Sequence, residues 1–409
     1  MRRVVVTGMG IVSPIGNSKS EVLRSLRESI SGIEFIPEMK DMGLRCHVAG
    51  RIKNLDTAKV GKRRLQTMSN VARYAAVAGL EALDDANLPR DLLSSPRIGV
   101  VVGAAISGIS ETLRVEEQLL ARTDVSRIGA TGAVKIMNSS AAVNLATSLG
   151  IKGRCYSISS GCATGTDSIG HAFELIRHGI LDVCFCGGAE EFCTLTIAYL
   201  DNLGLVPYGF NDRSQKAYRP FDEERQGAAL SEGAGILVLE DFDYATSRGA
   251  KTYGEVVGYG SANGGLDVFE PTGLGGIGLR TAIEQALDLA KRHPIDIDYI
   301  NPHGAATRGG DAAEIQIIRE MFRDRPPLVS STKSLSGYPQ GAAGAHDSIH
   351  TLLMLHDSFI APTVNLDRIA PECQGVRHVQ SLAETRVETA MTFNYGLGGT
   401  NACLIFTKV

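Results

Sequence analysis

The sequence predicts an α/β fold in which the strands of a central sheet alternate with longer helices. Two observations point to it. Short β-branched runs alternate along the 409 residues with longer patterns of helical period, an arrangement typical of parallel strands joined by crossover helices. Strands such as IGVVVGA, which begins at Ile98, are apolar throughout. Such strands suit a sheet that is covered by helices on both faces.

The individual elements follow from local periodicity. The strand candidates are short and apolar: Val4–Val6, Ile98–Val102, Val183–Cys186, Gly235–Leu239 and Ala402–Phe406. The helix candidates are longer and amphipathic: Asn70–Ala86, the segment after Cys162 up to Arg177, Gly278–Arg292, Asp311–Met321 and Gly344–His356. The longest irregular stretch, from Tyr208 to Gly233, is polar and rich in turn residues. We expect it to border a site or an interface.

Composition excludes several classes of function. The chain is 44% hydrophobic and 21% charged, with a net charge of -4, which argues against disorder and against a broad nucleic-acid surface. No stretch approaches the roughly 20 apolar residues of a membrane-spanning helix. Eight scattered cysteines without a secretion signal favour reduced thiols in the cytoplasm over a disulfide framework. We therefore expect a cytoplasmic protein with no nucleic-acid or membrane partner.

The segment YSISSGCATGTDSIGHAFELIRHG places Cys162 among small residues, directly before an amphipathic helix. A thiol at a helix N-terminus gains thiolate character, because the unpaired N–H groups and the helix dipole favour negative charge. The small neighbours leave room for a substrate to reach the sulfur. The pattern predicts a nucleophile, with a buried structural cysteine as the alternative.

Three further patches contain candidates for the same chemistry. His303, in the loop NPHGAAT after a short strand, is placed to donate or accept a proton in a cleft, unless it is an ordinary loop histidine. Lys333, in STKSLSG, precedes glycines whose backbone can approach a ligand closely, unless it is a solvated surface lysine. The turn YGLGGTNA between two strands exposes N–H groups that are suited to an oxyanion, unless it is only a turn.

In this order and at these separations, the motifs resemble the bacterial β-ketoacyl-acyl-carrier-protein synthases of the type I and II class. The likeness also includes the opening VVVTGMGIVSPIG and extends over nearly the whole chain. It implies a thiolase-like fold with a duplicated βαβαβ core in five layers, α-β-α-β-α. Residues 1–250 would form the half that carries the cysteine. Residues 251–409 would carry His303, Lys333 and the glycine turn.

The resemblance also implies a role for each matching residue. Cys162 matches the nucleophile that takes the acyl chain, and His303 matches one of two active-site histidines. Lys333 matches a lysine that pairs with a glutamate, here Glu314. The remaining matches are the backbone N–H groups of Cys162 and Leu397 for the oxyanion, Thr307, Ala305, Ala228, Gly396 and Gly398 near the substrate, and Lys62 and Arg63 as a basic patch for an acidic acyl carrier protein. No metal or cofactor is expected, since the substrate arrives on the phosphopantetheine arm of the carrier.

Four positions depart from the family pattern. Tyr338 stands where the second histidine is expected, and Ala228, in RQGAAL, stands where a bulky aromatic gates the malonyl site. Leu397 replaces a phenylalanine, and Ala305 replaces a threonine that contacts the phosphopantetheine arm. Decarboxylation leaves an enolate on the thioester oxygen, and losing one donor to that oxygen costs about 2.7–4 kcal/mol of barrier. Acyl capture needs the Cys162 thiolate and the oxyanion hole, and the sequence retains the residues for both.

Three hypotheses remain open at this point. The first is a synthase that condenses an acyl group with malonyl-carrier protein in fatty acid or polyketide biosynthesis. The second is an enzyme that transfers the acyl group to an oxygen, nitrogen or sulfur acceptor without loss of CO₂. The third is an accessory subunit of a heterodimer, although Cys162 counts against it. The family is usually homodimeric, and no motif specifies the acyl chain length.

Overall fold

The computed structural model describes residues 1–122, 124–265 and 276–409, and it confirms the α/β class. The elements of the first half are β1 (Val4–Val12), α1 (Lys19–Glu28), β2 (Ile33–Phe35), α2 (Pro37–Asp41), β3 (Val48–Gly50), α3 (Lys62–Leu65), α4 (Asn70–Ala86), β4 (Ile98–Gly103), α5 (Ile109–Leu120), α6 (Gly132–Ile136), α7 (Ser140–Leu149), β5 (Cys155–Tyr156), α8 (Thr164–Arg177), β6 (Val183–Glu190), α9 (Thr194–Asn202), β7 (Gly233–Asp241) and α10 (Phe242–Ser247).

The described elements of the second half follow after residue 253. They are β8 (Gly254–Asn263), α11 (Ile277–Ala290), β9 (Tyr299–Asn301), α12 (Arg308–Met321), β10 (Leu328–Val329), α13 (Lys333–Ser336), α14 (Ala343–Asp357), β11 (Phe359–Ile360), β12 (Arg377–His378), β13 (Ala383–Glu384), β14 (Thr389–Gly396) and β15 (Thr400–Thr407). All five predicted strands and all five predicted helices are present, and helix α4 has the predicted bounds. The strands are longer in the structure than predicted, and β1 differs most from its predicted length.

The two halves repeat one strand order. Within the described residues the main sheet runs β12-β10-β9-β14-β15-β8-β1-β7-β6-β4-β5. When the strands of the two small sheets and the edge strand β12 are left out, each half has five strands, which can be numbered in chain order. From the outer edge of the sheet to its middle, both halves then have their strands in the order third, second, fourth, fifth, first. This repetition confirms the duplicated core. The domain boundary between residues 250 and 251 stays a prediction.

The expectation of parallel strands is only partly correct. Strands β4, β5 and β6 pair in parallel, as do β9, β10 and β14. However, β1, β7 and β8 and the β14–β15 pair are antiparallel to their neighbours. The reason is visible in the connections: β14 and β15 are joined by a tight turn, and such a turn can only link antiparallel strands.

The fold has five layers, and two helices form the central one. Helices α8 and α14 contact each other and strands of both halves, so this helix pair lies between the two halves of the sheet. Helices α4 and α7 cover the outside of the first half, and α11 covers the outside of the second. A Cβ on Gly165 would lie 2.7 Å from the backbone nitrogen of Ala345, so glycine allows the two central helices to cross closely.

The layers bring four segments to one place between the halves. The turn before α8 packs against β14 and against the segment that leads into α14. The irregular stretch from Tyr208 to Gly233 reaches the same place, because Leu230 pairs with Tyr338. Among the described residues, no helix is long and apolar enough to cross a membrane.

Candidate active site

Cys162 lies in the 3-10 helical turn Gly161–Ala163, directly before α8. This is the predicted position at a helix N-terminus. The end of β14 packs tightly against it: a Cβ on Gly396 would lie 2.8 Å from the Cys162 nitrogen and 3.4 Å from its sulfur. Any side chain at position 396 would therefore displace the cysteine. Glycine at this position keeps the sulfur next to the turn that begins at Leu397.

The Cys162 thiol is neutral at rest. Burial raises the pKa of Cys162 to about 11, and the nearby charge of Glu190 acts in the same direction. A hydrogen bond from Tyr338 and the positive charge of Lys333 lower the pKa, but by less. Burial therefore opposes the thiolate character that the position at the helix N-terminus favours. Desolvation of the sulfur outweighs the groups that favour its charged form.

Tyr338 joins the cysteine to the histidine. Its hydroxyl hydrogen-bonds the Cys162 thiol and lies 3.3 Å from Nε2 of His303. The rings of Tyr338 and His303 meet edge to face, with centroids 5.2 Å apart. Both residues are buried, and burial raises the pKa of Tyr338 well above 10. The tyrosine thus keeps its proton and is a hydrogen-bond donor within reach of the sulfur.

His303 is held in place from several sides. The ring of Tyr395 packs on it at 4.2 Å between centroids, in addition to the contact with Tyr338. Burial and the charge of Lys333 lower the pKa of His303 well below 6.5. The imidazole is therefore neutral near pH 7. A neutral imidazole has one N–H donor, and its direction depends on the partner of the other ring nitrogen.

Lys333 forms a buried ion pair, but its partner is not the predicted glutamate. The Lys333 ammonium donates to Asp347 on α14, and both side chains are 1% exposed. The amide nitrogen of Asn394 donates to the same carboxylate oxygen at 2.8 Å. The predicted direct pairing of Lys333 with Glu314 is therefore wrong. Asp347 is one turn into the helix that follows Lys333, which makes it the nearer carboxylate.

Glu314 instead stabilises the loop that holds His303. Both of its carboxylate oxygens accept a hydrogen bond from the Gly304 N–H at 3.0 Å, and one accepts from the Tyr395 hydroxyl at 2.5 Å. Burial and the adjacent Asp311 carboxylate raise the pKa of Glu314. Glu314 thus fixes both the residue after His303 and the ring that packs on His303.

Glu190 connects two other loops at the site. It is buried at the end of β6 and accepts backbone N–H bonds from Ala105 at 3.0 Å, Ile106 at 3.4 Å and Gly341 at 3.1 Å. Burial raises the pKa of Glu190 to about 8, against the opposing effect of these three donors. The carboxylate ties the segment that bears Tyr338 to the loop after β4.

Ala228 lies in the wall beside the nucleophile. It is buried in an apolar cluster that contains Tyr338 and Ala306 and against which Cys162 packs. The Gly227 N–H donates to Ala306 at 2.7 Å, and the Tyr338 N–H donates to Ala229 at 2.9 Å. The stretch from Tyr208 to Gly233 therefore does border the site. The small side chain of Ala228 and the ring of Tyr338 occupy the same wall.

The other substrate candidates lie on two loops. Ala305 is buried and Thr307 is half-buried in the loop between β9 and α12, and Leu397 and Gly398 are exposed in the turn between β14 and β15. Within the described residues, the backbone N–H groups of Cys162 and Leu397 donate no hydrogen bond to another part of the chain. Both are therefore available to an oxyanion next to the sulfur.

The two predicted carrier contacts lie away from this cluster in the chain, on a separate helix. Lys62 and Arg63 are exposed on α3, together with Arg64. Three consecutive cations on one short exposed helix form a local positive surface on a chain whose net charge is negative. The structure thus places these side chains where an acidic partner has access to them.

Sequence reasoning missed the side chains that connect the site internally: Asp347, Asn394, Tyr395 and Glu190. Two signals were available. Asp347 interrupts the apolar face of a helix in GAHDSIHTLLML, and Asn394 interrupts the apolar strand TAMTFNYG. A polar residue in a buried element needs a partner. Among the described residues, no group of three or more side chains is suited to hold a metal ion.

Comparisons with known proteins agree with this geometry. The model of the β-ketoacyl synthase N-terminal domain matches residues 1–245, and that of the C-terminal domain matches residues 253–367. The chain is 41% identical over 409 residues to 3-oxoacyl-[acyl-carrier-protein] synthase 1 of Haemophilus influenzae, which covers 100% of this chain and 99% of the relative.

Two solved structures extend the comparison. A β-ketoacyl synthase from Burkholderia phymatum superposes with a TM-score of 0.93 at 31% identity, over 100% of both chains. A type II polyketide ketosynthase, bound to a hexaketide and in complex with its acyl-carrier protein, superposes with a TM-score of 0.89 at 28% identity, also over 100% of both chains. Both likenesses extend over the whole length of this chain.

Proposed function

The chain belongs to the β-ketoacyl synthase family, and we propose that it condenses an acyl group held on Cys162 with malonyl-carrier protein in fatty acid or polyketide biosynthesis. One observation carries the proposal at the level of residues. The Tyr338 hydroxyl contacts both the Cys162 thiol and the His303 imidazole. A nucleophile and two hydrogen-bond donors thus share one buried site, next to a glycine turn.

Acylation is the first step. The Cys162 sulfur attacks the thioester carbonyl of the acyl-carrier protein, and the bond from that carbonyl to the carrier sulfur breaks. The thiol proton leaves with the carrier sulfur, so the step needs no separate base. The developing oxyanion is stabilised by the backbone N–H groups of Cys162 and Leu397. The neutral resting thiol is consistent with this proton balance.

Condensation is the second step. The bond between C2 of the malonyl group and its carboxylate breaks, CO₂ leaves, and the electron pair forms an enolate on the thioester oxygen. Donors from His303 and Tyr338 stabilise that oxygen. C2 then attacks the acyl carbonyl on Cys162. The 3-ketoacyl carrier is released, and the Cys162 thiolate takes up a proton.

A two-substrate assay tests the proposal. The enzyme is incubated with acyl-carrier protein and malonyl-carrier protein, without added cofactor and with a chelator present. We expect 3-ketoacyl product, one CO₂ per product, and an acyl adduct on Cys162 in the intact-protein mass. An acyl adduct without CO₂ release would instead support transfer to a heteroatom acceptor. No adduct at all would support an accessory subunit and would reject both enzymatic hypotheses.

Carrier docking on α3 gives a second prediction. Reversing the charges with Lys62→Glu and Arg63→Glu is expected to raise KM for the acyl-carrier protein about tenfold and to leave kcat nearly unchanged, since charges at an interface rim act mainly on encounter. Arg323→Glu is the control, because Arg323 is also highly exposed. The effect should shrink as the salt concentration rises. Equal KM values for all three proteins would contradict docking at α3.

We also propose that two copies of the chain form a homodimer through the edge of the first half. Strand β5 is the end strand of the main sheet, and helix α5, which follows its partner strand β4 in the chain, exposes Leu113, Leu119 and Leu120. An unpaired strand edge and exposed apolar side chains in the same half both favour association. Sedimentation of the purified chain is expected to give twice the 43.5 kDa of one copy. A monomeric mass would contradict the proposal.

The cytoplasmic location stays a prediction. It is supported by the requirement for a reduced thiol at the centre of the site. All eight cysteines lie in the described ranges, and none of them forms a disulfide.

A further inference from the structure

Asn394 occupies the centre of the buried polar network behind the active site. Its Oδ1 accepts a hydrogen bond from the Thr166 hydroxyl at 2.6 Å. Its amide nitrogen donates to Asp347 at 2.8 Å and lies 3.3 Å from Nδ1 of His303. The carboxylate of Asp347 also receives the Lys333 ammonium on the same oxygen. The Asp347 oxygen is an acceptor, so the atom of Asn394 that faces it must be a donor. The amide nitrogen of Asn394 is therefore the atom that faces Asp347 and His303.

This orientation decides the tautomer of His303. The second N–H of the amide points at Nδ1, which must therefore be the unprotonated ring nitrogen. Since the imidazole is neutral, its proton lies on Nε2. Nε2 is the atom that lies 3.3 Å from the Tyr338 hydroxyl. The His303 N–H thus points out of the network and toward the reacting groups.

The nucleophile lies at the end of the same chain of hydrogen bonds. The Tyr338 oxygen accepts from Nε2–H, which leaves its own proton to donate to the sulfur of Cys162. Every hydrogen bond from Asn394 onward then runs in one direction, toward Cys162. A thioester oxygen that enters this site can replace these contacts and accept from the His303 N–H and the Tyr338 O–H.

We propose that Asn394 is a positioning residue that sets the direction of this hydrogen-bond chain through His303 and Tyr338 to Cys162. The effect of Asn394 on catalysis rests on the proposed condensation, whereas its effect on the tautomer of His303 does not. The donor of Asn394 determines which nitrogen of His303 carries the proton. Through Tyr338, it also determines whether the site offers donors to the enolate.

Replacing Asn394 by aspartate tests the proposal with almost no change of shape. The new side chain has an acceptor oxygen where the amide nitrogen was, so it favours a proton on Nδ1 and turns Nε2 into an acceptor. In ¹⁵N-histidine-labelled protein, two-bond ¹H–¹⁵N spectra distinguish the two tautomers, and His303→Gln assigns the signal. We expect the Nε2–H pattern in the parent enzyme and the Nδ1–H pattern in Asn394→Asp.

The second readout compares the rates of the two half-reactions, decarboxylation and acylation. In Asn394→Asp, decarboxylation of malonyl-carrier protein is expected to fall about a hundredfold, as for the loss of a transition-state donor. Acylation of Cys162 is expected to change much less, because the backbone N–H groups support that step. Asn144→Asp is the control, since Asn144 is also a buried asparagine but bonds Ser140 on α7 and Thr67 in the turn between α3 and α4.

The outcomes separate this proposal from the proposed function. An Nδ1–H signal in the parent enzyme would overturn the role of Asn394, whatever the enzyme produces. A parent that shows the Nε2–H signal but forms no ketoacyl product would leave the tautomer in place and would reject condensation. If Asn394→Asp unfolds, Thr166→Val provides the second test. It removes the donor that orients the amide, and an unchanged ratio of the two half-reactions in a folded Thr166→Val variant would contradict the proposal.

Discussion

The Cys162→Ala variant is expected to form no acyl-enzyme and to lose about 10⁴-fold or more of ketoacyl product formation. The reason is that the variant has no atom to hold the acyl group, so the reaction can no longer be divided into two easier steps. Intact-protein mass after exposure to acyl-carrier protein checks the adduct. A product assay with both carrier proteins checks the rate.

Cys155→Ala provides the matched control. Of the eight cysteines, all within the described ranges, only Cys155 and Cys162 are partly exposed. We expect Cys155→Ala to keep the adduct and the activity. An acyl adduct that survives in Cys162→Ala and disappears in Cys155→Ala would overturn the assignment of the nucleophile.

The same cysteine should show the effect of burial on its ionisation. Because burial raises the pKa of Cys162 to about 11, the thiolate fraction is small at pH 7 and increases about tenfold with each pH unit below the pKa. Alkylation of Cys162 by iodoacetamide should accelerate accordingly between pH 7 and pH 10. A rate that is already constant between pH 7 and pH 8 would show that the resting group is a thiolate.

Tyr338→Phe is expected to slow condensation about 10²- to 10³-fold, which corresponds to the loss of one donor to the enolate oxygen. The ring and the packing beside Ala228 stay, so the change isolates the hydroxyl. Alkylation of Cys162 should also become slower, because the hydrogen bond from Tyr338 lowers the pKa of the thiol. Product formation, CO₂ release and alkylation are measured on the same preparation.

Tyr299→Phe serves as the control for this substitution. Tyr299 is buried, and its hydroxyl contacts Ser330 in the second half of the sheet. The variant reports the general cost of removing a buried phenol hydroxyl. If Tyr299→Phe and Tyr338→Phe lower condensation equally, the hydroxyl of Tyr338 has no specific part in the reaction.

Tyr338→His distinguishes the two enzymatic hypotheses. It restores the imidazole that the family pattern expects at this position. If it accelerates a condensation that the parent enzyme already performs, transfer to a heteroatom acceptor is rejected. If CO₂ release appears only in Tyr338→His, the parent is a transferase that does not condense.

Local patterns in the sequence determined the elements and the main chemical groups. The apolar runs and helical periods located the ten predicted elements, because each depends on residues a few positions apart. Cys162 was recognisable from small residues followed by an amphipathic helix. His303, Lys333 and the turn at Leu397 were recognisable from short motifs in a family order.

Only the tertiary structure decided the partners and the ionisation states of these groups. The ion pair of Lys333 with Asp347 rather than with Glu314 depends on how α12, α13 and α14 are placed relative to one another. The neutral thiol of Cys162 follows from burial by segments that lie far apart in the chain. Ionisation and hydrogen-bond direction respond to every charge and dipole within several ångströms, and those neighbours come together only when the two halves of the sheet enclose the central helices.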